Sequence, residues 1–365
     1  MNEEKLKLYV NKDLLIKDLL VIPLLFPFFG AMFRGNSPYA IKTYEYGFDP
    51  GYFELVSAVH SAEYVLIPYD YWQIQKRHPE LLEQIIKEAQ DAEKPILIDA
   101  SGDAAGKIRV PNSRILRMNQ YRYDLPVNEI TVPVPCEDLL ESYGNGQIVL
   151  REKGETPIIG FVGWGRLSFK QRIRTLTKEL PRRFLSLLIP RYAVYRKGVF
   201  WREKAIQIFE RSPKVKTNFI IRASYSGNIR TMAGDPVKNR EEFVKNILDS
   251  DYTLVVKGDA NAATRFYETL ALGRIPVVID TECMFPLEDK INYREFCVFI
   301  NYTDLKKAPE ILADFHKKLS PEDFLAMQQK ARYIFKDYLR SDAFSRHLAG
   351  ILKEHARNMV VGSVV

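Results

Sequence analysis

The chain has 365 residues, 46% apolar and 27% charged, which suits a soluble globular protein with two domains of ordinary size. A net charge of +7 favours nucleotide diphosphates, anionic headgroups or acidic polysaccharide, while the absence of a dense Lys/Arg block or zinc-finger spacing gives no argument for nucleic acid. The scattered Cys136, Cys283 and Cys297 exclude a disulfide framework, and with five dispersed histidines they form no metal-ligand pair.

Residues 5–10 alternate as a first strand. The one strongly apolar run, residues 19–33, has two prolines and is shorter than the roughly 20 residues a spanning helix needs. It is expected as a buried loop or a monolayer contact. Residues 62–68 read as a buried strand ending at Tyr69-Asp70-Tyr71-Trp72. Residues 78–94 read as an amphipathic helix with Leu81, Leu82, Ile85, Ile86 and Ala89 on one face. A strand at 95–99 runs into Ala100-Ser101-Gly102-Asp103, and short strands follow at 113–118 and 129–133. This alternation predicts a first α/β domain over residues 1–150, with ligand groups at the strand ends.

The polar, turn-rich stretch 137–155 marks the boundary to a second α/β domain, residues 151–338. It opens with a strand at 157–162 and the turn Gly163-Trp164-Gly165-Arg166, then a basic helix to about Leu188 with Ser168 as its N-cap. The glycines do not fit G-x-G-x-x-G, but such a turn still lets backbone amides approach a phosphate. Lys170, Arg172, Arg174 and Lys178 fit a solvated helix face or a phosphate contact. Further elements are a helix at 199–211, a strand at 216–221 running into a site-lining loop from Arg222 to Gly227, and helices at 239–250, 304–318 and 321–338. A terminal helix, about 341–358 within a 339–365 segment, packs back on the first domain.

The most informative run is residues 251–300. It reads as a strand (252–256), a loop, a helix (262–272) ending at Gly273, and a strand (275–279), which makes a parallel βαβ unit. A helix N-terminus favours phosphate, and this junction carries Lys257, Gly258, Thr264 and Arg265. Glu268 lies three residues beyond Arg265 and four beyond Thr264, on neighbouring helix surface. These groups suit a diphosphate with a ribose one turn deeper; spacing alone fits a solvated helix start equally well.

The residues Lys257, Gly258, Arg265, Glu268, Gly273, Ile275, Pro276 and Val277, followed by Ile291, Asn292, Tyr293, Phe296 and Val298, closely resemble the C-terminal signature of exostosin-like glycosyltransferases. The departures are Ala263 at a usual serine and Val256 at a usual proline. Phe161, Gly163 and Arg172 are similar to the family's strand end and Arg-rich helix. The resemblance implies a GT-B-like α/β fold, with two Rossmann-like domains facing across a cleft. It also implies an inverting, metal-independent transferase that takes a sugar from a nucleotide-diphosphate donor to a glycan or lipid-linked glycan acceptor, in surface polysaccharide or lipopolysaccharide synthesis. No cofactor is implied, the nucleotide sugar being substrate. The donor residues carried over are Gly163, Arg172, Lys257, Gly258, Arg265 and Glu268; Thr264 at the helix start and Arg222 at the head of the site-lining loop join them on position alone. Inversion needs a general base from the first domain. Asp70 and Asp103 are the candidates, with Asp99 and His60 behind them; a loop turn for Asp70 and an Asx-turn for Asp103 are the ordinary alternatives. The family's eukaryotic members carry an N-terminal anchor, whereas this chain begins MNEEKLKLYVNKD. The expectation is therefore a bacterial-type, cytoplasmic protein with peripheral contact at the inner face of the cell membrane. The alternative is an inactive glycan-binding protein of the same fold.

Overall fold

Short apolar strands that are buried on both faces require helices on both sides, and such strands pair in parallel. The computed structural model describes residues 4–17, 19–30, 40–104, 106–167, 169–224 and 230–362, and it contains two such sheets. The first runs in the order β2-β1-β3-β4-β5-β6 and the second β11-β10-β9-β7-β8, with every strand pair parallel.

The first sheet is built from β1 (Leu6–Tyr9), β2 (Phe53–Val56), β3 (Tyr64–Leu66), β4 (Ile96–Asp99), β5 (Ser113–Arg117) and β6 (Glu129–Thr131). The helix Pro79–Asp91 buries Leu82, Ile85 and Ala89 against it. The edge strand β2, with only Phe53 buried, is not legible in the sequence. Of the apolar run, Ile22, Leu24 and Leu25 are buried in the core and Leu20 is exposed; its residues 31–33 lie outside the described ones.

The second sheet is built from β7 (Ile158–Trp164), β8 (Lys216–Arg222), β9 (Tyr252–Val255), β10 (Ile275–Asp280) and β11 (Val298–Asn301). The helix Thr264–Ala271 joins β9 to β10 and ends at Gly273, whose φ of +62° is the left-handed conformation a C-cap glycine adopts. The expected helix at 304–318 begins instead as a 3-10 turn, Tyr302–Lys307, before Ala308–Lys318. The helix expected over 321–338 ends at Ile334 and passes through a π turn, Phe335–Leu339.

The terminal helix Ser341–Gly362 lies against the first sheet. Tyr64 donates its hydroxyl to the Leu352 carbonyl at 2.9 Å, and the Asp49 amide donates to Ser345 Oγ at 2.9 Å. Phe344, Leu348 and Leu352 are buried in one apolar cluster with Leu6 and Leu8 of β1 and Phe266 of the second unit. At the boundary Asp138 accepts from Arg332 (2.6 Å) and Arg340 (2.9 Å). The two α/β units, GT-B-like in arrangement, are therefore bound together from behind and open towards a cleft.

In the second sheet the chain leaves β7 for its neighbour β8, then crosses back to β9 on the other side of β7. The connections after β7 and β9 therefore diverge and leave a crevice at their carboxyl ends. In open α/β sheets this switch point is where ligands bind.

Candidate active site

A cleft of about 700 Å³ opens at that switch point. Its floor is Val162, Gly163 and Trp164 at the end of β7, with Val256 and Gly258 after β9; its far wall is Thr43, Tyr44 and Asp103 of the first unit. Four guanidinium side chains line it: Arg202, Arg222, Arg240 and Arg265.

Arg265 is the second residue of the Thr264–Ala271 helix. Ala263, the N-cap, makes no side-chain bond to the first turn, and Thr264 is exposed beside it. Arg265 Nη2 donates to the Val162 carbonyl, and the guanidinium stacks on the Phe161 ring with 4.2 Å to its centroid. Its Nε has no hydrogen-bond partner among the described residues. Burial pushes its pKa down to about 9, the positive charges of Arg202 and Arg222 act in the same direction, and Glu268 opposes them. Gly163 permits this approach. Its φ is +144°, and a Cβ there would lie 3.0 Å from Arg265 Nη2.

Arg202, on the helix Gly198–Glu210, bridges the two diverging strand ends by donating to the Trp164 carbonyl (2.8 Å) and the Lys257 carbonyl (3.4 Å). That helix must start with glycine, because a Cβ on Gly198 would sit 2.1 Å from the Lys257 carbonyl oxygen. Arg222, ending β8, donates to the Asn239 carbonyl (3.1 Å) and to Glu242 (2.7 Å).

Glu268 lies one turn deeper than Arg265 and is buried. One of its oxygens accepts from Arg240 Nη1 at 2.6 Å, while Arg240 Nε and Nη2 donate to Glu137 Oε2 at 3.0 and 2.9 Å. The Glu137–Arg240–Glu268 triad forms the back of the cleft. The two carboxylates hold the Arg240 pKa above its ordinary value against burial, which acts the other way.

Of the residues expected from sequence, Gly163, Arg222, Gly258, Thr264, Arg265, Glu268 and Asp103 come together in this cleft. Three do not. Lys257 is buried and turned out of the cleft, donating to the Val194 carbonyl (2.6 Å) and to Tyr121 of the first unit (3.1 Å). Together with Asn261, whose amide donates to Asn119 Oδ1 at 2.7 Å, it fastens the two units. Arg172 is exposed and pairs with Glu203 at 2.5 Å, on the solvated face of its helix. Asp70 is the N-cap of an unanticipated helix, Tyr71–Arg77, accepting from the Gln73 amide at 3.0 Å. Asp99 is buried and accepts from Ser101, and His60 is exposed; neither lines the cleft. The N-cap Ser168 and loop residues 225–227 lie outside the described residues.

Asp103 is exposed at the cleft, its carboxyl pushed up by desolvation and then by Asp259 of the second unit. Sequence reasoning missed Arg202, Arg240, Glu137, Asp259 and Tyr44. Arg240 left a trace: it shares the inward helix face with Phe243 and Ile247, where a charged residue needs a buried partner. No group of three or more potential metal ligands occurs among the described residues.

Residues 202–315, just under a third of the chain, match the model of the Exostosin GT47 domain. The chain is 27% identical over 123 residues to the Exostosin-1 homolog of Caenorhabditis elegans, covering 33% of this chain and 31% of that protein. It is 24% identical over 97 residues to the "Probable arabinosyltransferase ARAD1" of Arabidopsis thaliana, covering 27% of this chain and 22% of that protein. The chain thus spans under a third of the length of each of these relatives. Among solved structures, the Anabaena HepE protein in complex with UDP and glucose aligns over 96% of this chain and all of that one, at 9% identity and a TM-score of 0.37. Over residues 202–315, the stretch that supplies Arg202, Arg222, Arg240, Arg265 and Glu268, the chain is exostosin-like.

Proposed function

We propose that the protein is a glycosyltransferase that uses a nucleotide-diphosphate sugar, and that the cleft is its active site. The observation that supports this most is the convergence of Arg265, Arg202 and Arg222 at the switch point, inside the stretch that matches the exostosin domain. Three mutually repelling guanidinium groups form a strong site for the two charges of a diphosphate. The open first turn of the Thr264–Ala271 helix adds backbone donors. Glu268, one turn deeper, accepts from the ribose hydroxyls while Arg240 holds it in place. The leaving group is neutralised by these cations, which makes the reaction metal-independent.

The acceptor approaches from the first unit. Asp103 takes the proton of its hydroxyl, and that oxygen forms a bond to the anomeric carbon on the face opposite the diphosphate. The carbon–oxygen bond to the diphosphate breaks, the nucleoside diphosphate leaves, and the configuration inverts. A carboxyl raised above its ordinary range suits proton acceptance near neutrality. The acceptor class is a glycan or lipid-linked glycan of surface polysaccharide or lipopolysaccharide synthesis, and the site of action is the cytoplasm.

Purified protein offered a panel of nucleotide sugars tests this through slow donor hydrolysis. Release of nucleoside diphosphate that Arg265→Ala abolishes supports the transferase. Glycan binding without turnover of any donor would leave only a binding module.

A further inference from the structure

The helix Phe169–Leu188 carries an apolar stripe that the rest of the described chain does not cover. Ile173, Leu180, Phe184, Leu187 and Leu188 recur at helical spacing along one face and range from 50% exposed (Ile173) to 76% (Leu187). Leu185 and Ile189 extend the exposed surface. Such an apolar face marks a docking surface, since single exposed residues are ordinary but a contiguous row is not.

The charge of the helix sequence is one-sided. The helix sequence holds six Lys and Arg residues against one acid, Glu179. That acid is 2% exposed and accepts from the Lys197 amide. Arg183 and Arg191 are exposed beside the apolar row. No helix among the described residues is long and apolar enough to cross a membrane.

We infer that this helix is a membrane-surface anchor, lying in the headgroup plane of an anionic bilayer with the Ile173–Leu188 row sunk among the acyl chains. An apolar face with basic flanks is complementary to acyl chains below anionic headgroups. The helix begins shortly after Trp164, which lines the cleft, so docking brings the cleft close to the bilayer surface. The inference does not depend on which donor the cleft takes.

The test is co-sedimentation of the full chain with extruded phosphatidylcholine vesicles, with and without phosphatidylglycerol. The protein should pellet with the anionic vesicles, and added salt should weaken this as the Debye length falls below about 10 Å. The neutral variant F184S/L187S/L188S should bind them at least about tenfold more weakly, while thermal midpoint and donor-induced stabilisation stay at wild-type values. Three results would overturn the inference: wild-type protein that stays in the supernatant at every composition, a folded variant that pellets as well as wild type, or a wild-type dimer in sedimentation equilibrium that the variant converts to monomer, which would assign the face to a second copy.

Discussion

Arg240 is the only cation hydrogen-bonded to both Glu137 and Glu268 among the described contacts, and its replacement by leucine tests the back wall of the cleft. The bonds lost are 2.6 Å to Glu268 and 2.9 and 3.0 Å to Glu137, all between side chains no more than 10% exposed. Removing one member of such a buried group strands the remaining charges and costs about 3–5 kcal/mol. Lys42, 3.5 Å from Glu137 but half-exposed, offsets little of that. The loss should lower the urea midpoint by about 1 M or more. A deficit under about 1 kcal/mol would refute the triad as the element that holds Glu268.

Donor affinity should be flat from pH 7 to 8.5 and then weaken as Arg265 loses its proton above about 9; calorimetric titration across that range checks this, and an unchanged Kd at pH 10 would count against Arg265. Glu268→Gln should weaken donor binding by about 1–3 kcal/mol, the cost of an impaired buried hydrogen-bond partner; equal affinities for wild type and variant would remove the ribose contact from the account. Gly163→Ala imposes a positive φ on a side chain that meets Arg265, and should cost about 1–3 kcal/mol of stability and raise the donor KM. Asp103→Asn should lower transfer kcat by about 10²–10⁴ with donor affinity retained, and its acidic limb should lie above the ordinary carboxylate range in the wild type.

The second unit was legible because its signals are local. Strands β9 and β10 are apolar along their length since both faces are covered, and the helix between them closes on Gly273, where the backbone is left-handed. The spacing of Thr264, Arg265 and Glu268 fixed their relation on one helix, and the structure keeps it. The residues missed depend on distance in the chain. Glu137 and Arg240 are 103 positions apart, so no local pattern pairs them. Lys257 shows the opposite error: its place after β9 is right, but the direction of its side chain is set by Tyr121 and Val194, from other parts of the chain. Asp70 looks like a strand-end base in the sequence because no local signal separates the helix Tyr71–Arg77, which it caps, from the one that starts at Pro79. The first unit offers the fewest cleft groups, and Asp103 alone of the expected bases reaches it.

The central claim is that a nucleotide-diphosphate sugar binds among Arg202, Arg222 and Arg265, and thermal unfolding with a panel of nucleotide sugars tests it most directly. At a hundredfold excess over Kd, a ligand that binds the folded state stabilises it by about 2.7 kcal/mol. The account predicts that at least one nucleotide sugar raises the unfolding midpoint of the wild-type chain by several degrees, and that Arg265→Ala abolishes the rise at the same concentration. No rise with any member of the panel, or an equal rise in the variant, would contradict it.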